Sequence, residues 1–254
     1  MPVVPVVHPD PAARRWLRRG LSRQTRIRAC RTVGDARAWL QRSVADAVVV
    51  DVSGDGLEPA LRLAADYPRV PVFAFSAFRP DDGDTLDRCR RGLTGVLVAG
   101  VDDAAAGELV ARRTASRTRE RELADAPRLL RLTEPIQRRT WIEVLSRVDA
   151  HPTTSDIARV VRRSREHLSR EFAAGGAPNL KRVIDLARVA CAADLLGNPA
   201  YAAGTVSTIL GFSSVGHFRA AARRIAGVAP LELGRLGPRG VLQRFLRGRT
   251  RSRI

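Results

Sequence analysis

Several absences narrow the field before any motif is read. Lys181 is the one lysine among 44 basic residues, so arginine carries nearly all of the net charge of +18. A GC-rich genome alone could produce that bias, yet arginine also brings a fixed charge and a planar fork suited to phosphates and guanine edges. The three cysteines, Cys30, Cys89 and Cys191, are far apart and form no CxxC pair. Nor do they fall at zinc-ligand spacing with the four histidines. A disulfide framework and a structural zinc site are therefore not expected, and buried reduced thiols are. No apolar run reaches the roughly 18 residues that a membrane crossing needs. The opening MPVVPVVHPDPAARR lacks the early positive charge and long apolar stretch of a secretory signal, so a cytoplasmic location is expected. No metal set, nucleophile–base pair or phosphate loop is present, so no catalytic residue, metal ligand or cofactor is assigned and an enzyme is not expected. With 44% apolar residues the chain can bury a real core, and 254 residues suit one large or two small domains.

The charge is uneven. Residues 1–133 carry 23 arginines against 17 acids, whereas residues 134–254 carry 21 basic residues against 9 acids. A concentrated positive field favours a polyanion such as nucleic acid. Solvated arginine faces in a basic proteome, or an architectural protein that binds DNA through charge alone, would give the same totals, so charge does not decide between them.

In the first half, short apolar runs alternate with amphipathic stretches. Strands are predicted at 3–7, 26–29, 47–51, 72–75 and 95–98, and helices at 11–20, 35–42, 57–66, 82–91 and 103–113. Buried-looking strands alternating with helices imply a parallel sheet covered on both faces. Ligand chemistry in such a sheet sits at the carboxyl ends of the strands. Asp51 lies at one such end and Ser76 just past another. In structural terms, Asp51 reads equally as a strand-end carboxylate capping a turn.

This half resembles a response-regulator receiver domain over roughly residues 1–115. Asp51 after AVVV, Ser76 after VFAF, the phrase RVPVFAFSA and the GVLV strand carry the likeness. The resemblance puts Asp51 at the phosphoacceptor position and Ser76 at the switch hydroxyl. The family's magnesium-holding acidic pair falls on His8 and Pro9, with Asp10 next to them, and its lysine falls on Ala99. Phosphoryl transfer needs a metal and a cation to neutralise the moving group. A degenerate receiver that is not phosphorylated is therefore expected; the alternative is a phosphorylation-competent two-component regulator using Asp51. A phosphatase of the haloacid dehalogenase type would want a second aspartate where Ser53 stands, and so lacks its general acid.

Residues 116–134 read as a charged linker, in which Arg117, Glu120, Arg121 and Glu122 can support a solvated helix. Beyond it, helical stripes are predicted at 136–148, 157–161, 165–174, 179–196, 205–210 and 214–225. Thr153 to Asp156 offer caps, Arg162 and Arg163 give a turn, and Ser164 can cap the next helix. Leu168 and Phe172 face inward, leaving Arg165, Glu166, Ser169 and Arg170 on another face. Short helix, tight turn, cap and second helix make a helix-turn-helix. The same grammar recurs where Gly211 ends one helix and Phe212–Ser213 turn the chain into another.

The doubled pattern resembles the AraC/XylS DNA-binding domain, over roughly residues 136–235. SDIARVVRRSREHLSREF, LARVACAADLL and VSTILGFSSVGHFRAAARRIAGVAP carry it, in that order. The resemblance implies two recognition helices held about one DNA turn apart by the long helix. It places Arg165, Glu166, Ser169 and Arg170 of the first unit, and Val215, Gly216, Arg219, Ala220 and Arg223 of the second, against double-stranded DNA. RNA polymerase and a homodimer through the N-terminal domain are further partners that it allows; no membrane partner is expected. Ala222 and Ala226 stand where the family has large aromatics, so a looser second unit is expected, or one packed by other residues. An Arg170–Glu166 ion pair, four residues apart, would take Arg170 out of base reading. His167 and His217 read as packing or phosphate-facing groups, since no further ligands accompany them. The expected architecture is thus two domains: an α/β doubly wound five-stranded parallel sheet (flavodoxin-like receiver) over 1–115, and an all-α double helix-turn-helix over 135–236. A basic tail, 237–254, has six arginines and no acid from Arg239 onward. It suits sequence-independent phosphate contact or a solvated end equally, and is expected to be flexible beyond Leu246. Operator, regulated genes, sign of regulation and incoming signal are not written in the residues.

Overall fold

The computed structural model describes residues 2–21, 25–102, 105–173 and 176–251, with the side chains of Trp16, Arg19 and 249–251 left aside. The chain forms two compact units, Met1–Thr118 and Arg119–Ile254.

In the first unit, β1 (Val3–Val7), β2 (Arg26–Cys30), β3 (Val48–Asp51), β4 (Val72–Ser76) and β5 (Gly95–Val98) form one parallel sheet in the order β2-β1-β3-β4-β5. That order belongs to the flavodoxin-like doubly wound folds. β1 and β3 are buried at every residue, which is why they read as continuous valine runs rather than alternating ones. The helices are α1 (Pro11–Leu21), α2 (Val33–Leu40), α3 (Leu57–Asp66), α4 (Gly83–Gly92) and α5 (Ala106–Arg112). Leu17 and Leu21 of α1 and Val110 of α5 pack with Val4, Val6, Val49, Phe73 and Leu97 of the sheet in one core cluster. At about 25 cal/mol per Å2 of apolar surface removed from water, burial of this kind is the main favourable term. α2 starts on a capping box, in which Thr32 Oγ1 accepts from the Asp35 amide and the Asp35 carboxylate accepts from the Thr32 amide.

The second unit is helical. α6 (Ala115–Glu122) crosses the boundary between the units. α7 (Ala126–Leu129), α8 (Pro135–Ser146), α9 (Thr154–Val160), α10 (Arg165–Ala173), α11 (Leu180–Leu196), α12 (Ala203–Ile209), α13 (Val215–Ala226) and α14 (Pro230–Arg251) follow. α11 is the hub and packs against α8, α9, α10, α12, α13 and α14. Twelve of its seventeen residues are buried, far more than one apolar stripe supplies, because neighbours cover it on several sides.

Two segments differ from the sequence reading. The stretch expected as a charged linker is structured: α6 and α7 lie in it, and Leu123, Ala126, Leu130 and Leu132 are buried. Arg119 makes a buried ion pair with Asp194 of α11 at 2.9 Å, so residues from 119 onward belong to the second unit. A run rich in Arg and Glu looks solvated in sequence because its few apolar residues are too widely spaced to register as a stripe. The described residues of the tail are helical rather than extended. α14 breaks at Gly237 (φ 63°), resumes at Pro238, and continues helical to Arg251, past Leu246. Val241, Leu242 and Phe245 are buried on it, and α14 packs along α11 and α13. A Cβ on Gly234 would lie 2.3 Å from the Leu196 carbonyl oxygen, so glycine permits this close approach. Ala222 and Ala226 are both buried, and α13, which carries them, packs against α11, α12 and α14. Among the described residues no helix is long and apolar enough to cross a membrane.

Candidate nucleic-acid interface

The two helix-turn-helix units are built on the same turn. α9 ends with the Arg163 amide donating to the Ala158 carbonyl at 2.9 Å; α12 ends with the Phe212 amide donating to the Ser207 carbonyl at the same distance. These are the long bonds of a Schellman motif, which requires a left-handed residue just after the helix. Gly211 fills that place at φ 62°, and Arg162 at φ 57°. The next helices start on equivalent serine caps. Ser164 Oγ accepts from the His167 amide at 3.1 Å, and Ser214 Oγ from the His217 amide at 3.0 Å. α9 itself begins on a capping box between Thr153 and Asp156. The Thr153 side chain and amide hold the Asp156 carboxyl below the ordinary carboxylate range.

On α10, Leu168 and Phe172 are fully buried, and Arg165, Glu166, Ser169 and Arg170 are exposed together. Glu166 pairs with Arg165, at 3.6 Å, and not with Arg170. Among the described residues Arg170 has no ion pair, so its fork faces solvent uncommitted. His167 Nε2 lies 3.5 Å from Glu171, whose backbone oxygen accepts from buried Gln137.

On α13, Phe218, Ala221, Ala222, Ile225 and Ala226 face the core. Gly216, Arg219, Ala220 and Arg223 are exposed and Val215 is half-buried. Arg224 pairs with Asp185 of α11 at 2.9 Å, and Arg188 of α11 stacks 4.9 Å over the Phe212 ring, tying the second turn to the hub. Burial pulls the Arg188 guanidinium below its usual value, with Asp185 opposing. His217 Nδ1 meets Ser213 Oγ at 3.0 Å and its ring lies edge-on to Phe212, while the residue stays exposed.

His151 escaped the sequence reading. It follows the 3-10 turn Val148–Ala150, takes a left-handed conformation at φ 52°, and its Nε2 contacts the Ile209 carbonyl at 2.7 Å. Its ring fills the space above Gly211, where a Cβ would lie 2.4 Å from Nδ1. One lone histidine before a proline gives no signal for such a contact across 58 residues.

In the first unit, an open cleft of about 1060 Å3 lies at the carboxyl ends of the strands, lined among others by His8, Asp51, Ser53, Ser76, Arg79 and Ala99. Asp51 is buried and engaged. Its Oδ1 accepts from the Ser53 amide at 3.0 Å and from the Ser53 hydroxyl at 2.7 Å, and its Oδ2 faces His8 Nε2 at 3.5 Å. The Asp10 amide donates to His8 Nδ1 at 3.0 Å, so the ring turns a protonated Nε2 toward Asp51. Asp10 is itself occupied. Its carboxylate caps α1 by accepting from the Ala12 and Ala13 amides, which hold it below the usual carboxylate range. No group of three or more His, Cys, Asp and Glu among the described residues is placed to hold a metal ion.

Residues 157–235 match a protein-family model described as a helix-turn-helix domain. Solved structures with some likeness include a response regulator from Thermotoga maritima, with 20% identity and a TM-score of 0.39. That match covers 44% of this chain and 96% of the other. The signal receiver domain of an HD domain-containing protein from Pseudomonas fluorescens gives 18%, 48% of this chain, 92% of that one and 0.41. NtrX from Brucella abortus in complex with ADP gives 16%, 64%, 41% and 0.42. No curated protein matches the sequence. The strand order and the cleft at its carboxyl end define the N-terminal fold. The chain joins an N-terminal domain of flavodoxin-like, doubly wound fold to a C-terminal double helix-turn-helix domain of the AraC type.

Proposed function

We propose that the protein is a sequence-specific DNA-binding transcription regulator in which α10 reads bases and α13 mainly positions the domain. The observation that carries this reading is the pair of helix-turn-helix units with matching turns and caps, each turning exposed arginines outward. Arg165, Glu166, Ser169 and Arg170 can all hydrogen-bond to base edges. In the second unit only Arg219 and Arg223 of the assigned positions can do so, because Val215, Gly216 and Ala220 have no hydrogen-bonding side chain. The receiver-like domain acts without phosphorylation, as an interaction or sensing module: His8 and Ser53 hold Asp51, and Ala99 offers no cation. Double-stranded DNA is the partner. RNA polymerase, and a second copy bound through the N-terminal domain, are secondary partners on this reading, and the chain carries out no catalysis.

Selection from a random DNA pool by the full chain, at stated salt, tests the reading by yielding one enriched motif. Arg170→Ala should then weaken the selected site by about 1–3 kcal/mol more than random DNA, and relax preference at one or two base positions. A pool with no enrichment would leave a non-specific architectural protein instead. Equal losses on both DNAs would move Arg170 to the backbone-contacting residues.

A further inference from the structure

The segment of α14 beyond Gly237 lies outside the matched domain, and its two faces differ completely in character. Val241, Leu242 and Phe245 are buried, and the Arg182 guanidinium of the first turn of α11 stacks 5.0 Å over the Phe245 ring. Gly234 meets Leu196 at the opposite end of α11, so α14 runs antiparallel along the hub. The other face carries Arg239, Gln243, Arg244 and Arg247, all exposed. At 100° per residue these four span less than half of the helix circumference, opposite the buried trio. Among the described residues none of the three arginines makes an ion pair, and Glu232 is the last acid in the sequence. Exposed Lys181 lies in the first turn of α11, the end that Phe245 reaches. Arginines on a helix usually find i±4 acids; here the sequence supplies none.

We propose that this stripe is a phosphate-binding element that grips the DNA backbone independently of sequence. The proposal rests on the DNA-binding reading above and adds a contact surface to it. Arg239 and Arg247 are separated by about 12 Å of helix rise, long enough for the stripe to meet more than one phosphate of a strand. Because the helix is packed on α11, its charges are held in place, so binding orders few side chains beyond the arginines themselves. An acidic protein surface would also attract the stripe, but the two helix-turn-helix units of the same compact unit favour nucleic acid.

The test uses the full chain and three proteins: wild type, the triple change Arg239→Gln, Arg244→Gln and Arg247→Gln, and the charge-keeping triple change of the same residues to Lys. Each is titrated with the selected site and with random DNA over a salt series, and circular dichroism compares the folds. Each lost phosphate contact removes about 0.9 from the slope of log affinity against log salt. The glutamine variant should therefore lose up to about 2.7 from the slope, on both DNAs alike, with the specific-to-random ratio unchanged. The lysine variant should keep most of the slope. A glutamine variant with the affinity and slope of wild type overturns the proposal, and a change confined to the selected site overturns it as well. Failure of wild type itself to prefer any site would refute the reading of the previous section, while an unaffected slope in a site-preferring protein refutes only the stripe.

Discussion

Replacing Gly211 with alanine places a methyl group where the structure leaves no room in either of two senses. The backbone there is left-handed, at φ 62°, which costs an L-residue about 1–2 kcal/mol. The new Cβ would also stand 2.4–2.8 Å from three atoms of the His151 ring, so the ring must leave. Its departure breaks the contact to the Ile209 carbonyl, worth about 1 kcal/mol. The combined cost is about 2–3 kcal/mol, a large part of the 5–15 kcal/mol that holds a typical domain folded. The assay is urea unfolding of the full chain in a background where Trp16 and Trp39 are phenylalanine. Trp141, buried in α8, then reports on the C-terminal unit alone. The two contributions separate in a double-mutant cycle. In a His151→Ala background the same glycine change should cost only the backbone term, leaving a coupling of about 1 kcal/mol. A Gly211→Ala protein within about 0.5 kcal/mol of its parent, or a cost identical with and without His151, would refute the account of this turn.

The matching place in the first unit should respond with the opposite sign. Arg162→Gly relieves the left-handed strain at φ 57° and should stabilise the C-terminal unit by up to about 1 kcal/mol in the same assay; destabilisation would mean that the Arg162 side chain carries an unrecognised contact. Incubation with acetyl phosphate and magnesium should leave the intact mass unchanged, because His8 and Ser53 occupy the Asp51 carboxylate and Asp10 is committed to capping α1. A phosphoprotein fraction that disappears in Asp51→Asn would instead establish a phosphorylation-competent receiver.

The elements were legible wherever one residue pattern served one environment. The central strands are unbroken apolar runs because both faces of a parallel sheet are covered, and their positions could be read almost to the residue. The recognition helices were equally legible, since caps at Ser164 and Ser214 and inward pairs such as Leu168 and Phe172 are local signals. Both failures concern residues whose partners are distant in sequence. Arg119 looks solvated until Asp194, 75 positions on, removes it from water. In sequence the tail leaves phosphate contact and a solvated end equally open and is expected to be flexible beyond Leu246; Val241, Leu242 and Phe245 are buried on a helix that runs on to Arg251. At Asp51 the sequence left a phosphoacceptor and a turn-capping carboxylate open; the bonds to Ser53 are those of the cap.

The two reading units are alike in frame and unlike in what they present, and the difference runs through the residues that support them. The second turn is firmly held: glycine takes the left-handed place, His151 seals it from one side, Arg188 stacks on Phe212, and Arg224 ties α13 to α11. Its outward face sets three apolar or side-chain-free positions, Val215, Gly216 and Ala220, against two arginines, Arg219 and Arg223, so on the proposed reading it would meet sugar and phosphate closely and distinguish few bases. The first turn puts the left-handed place on an arginine, and it leads into α10, whose outward residues can donate to and accept from base edges. Backbone strain of this kind persists where surrounding contacts over-determine it and is often found at functional sites. On the proposed reading, the firmly held second unit sets register and the chemically richer first unit reads sequence. α11, buried at twelve of its seventeen residues, packs against α9, α10, α12 and α13, so a shift of α11 would displace both units together.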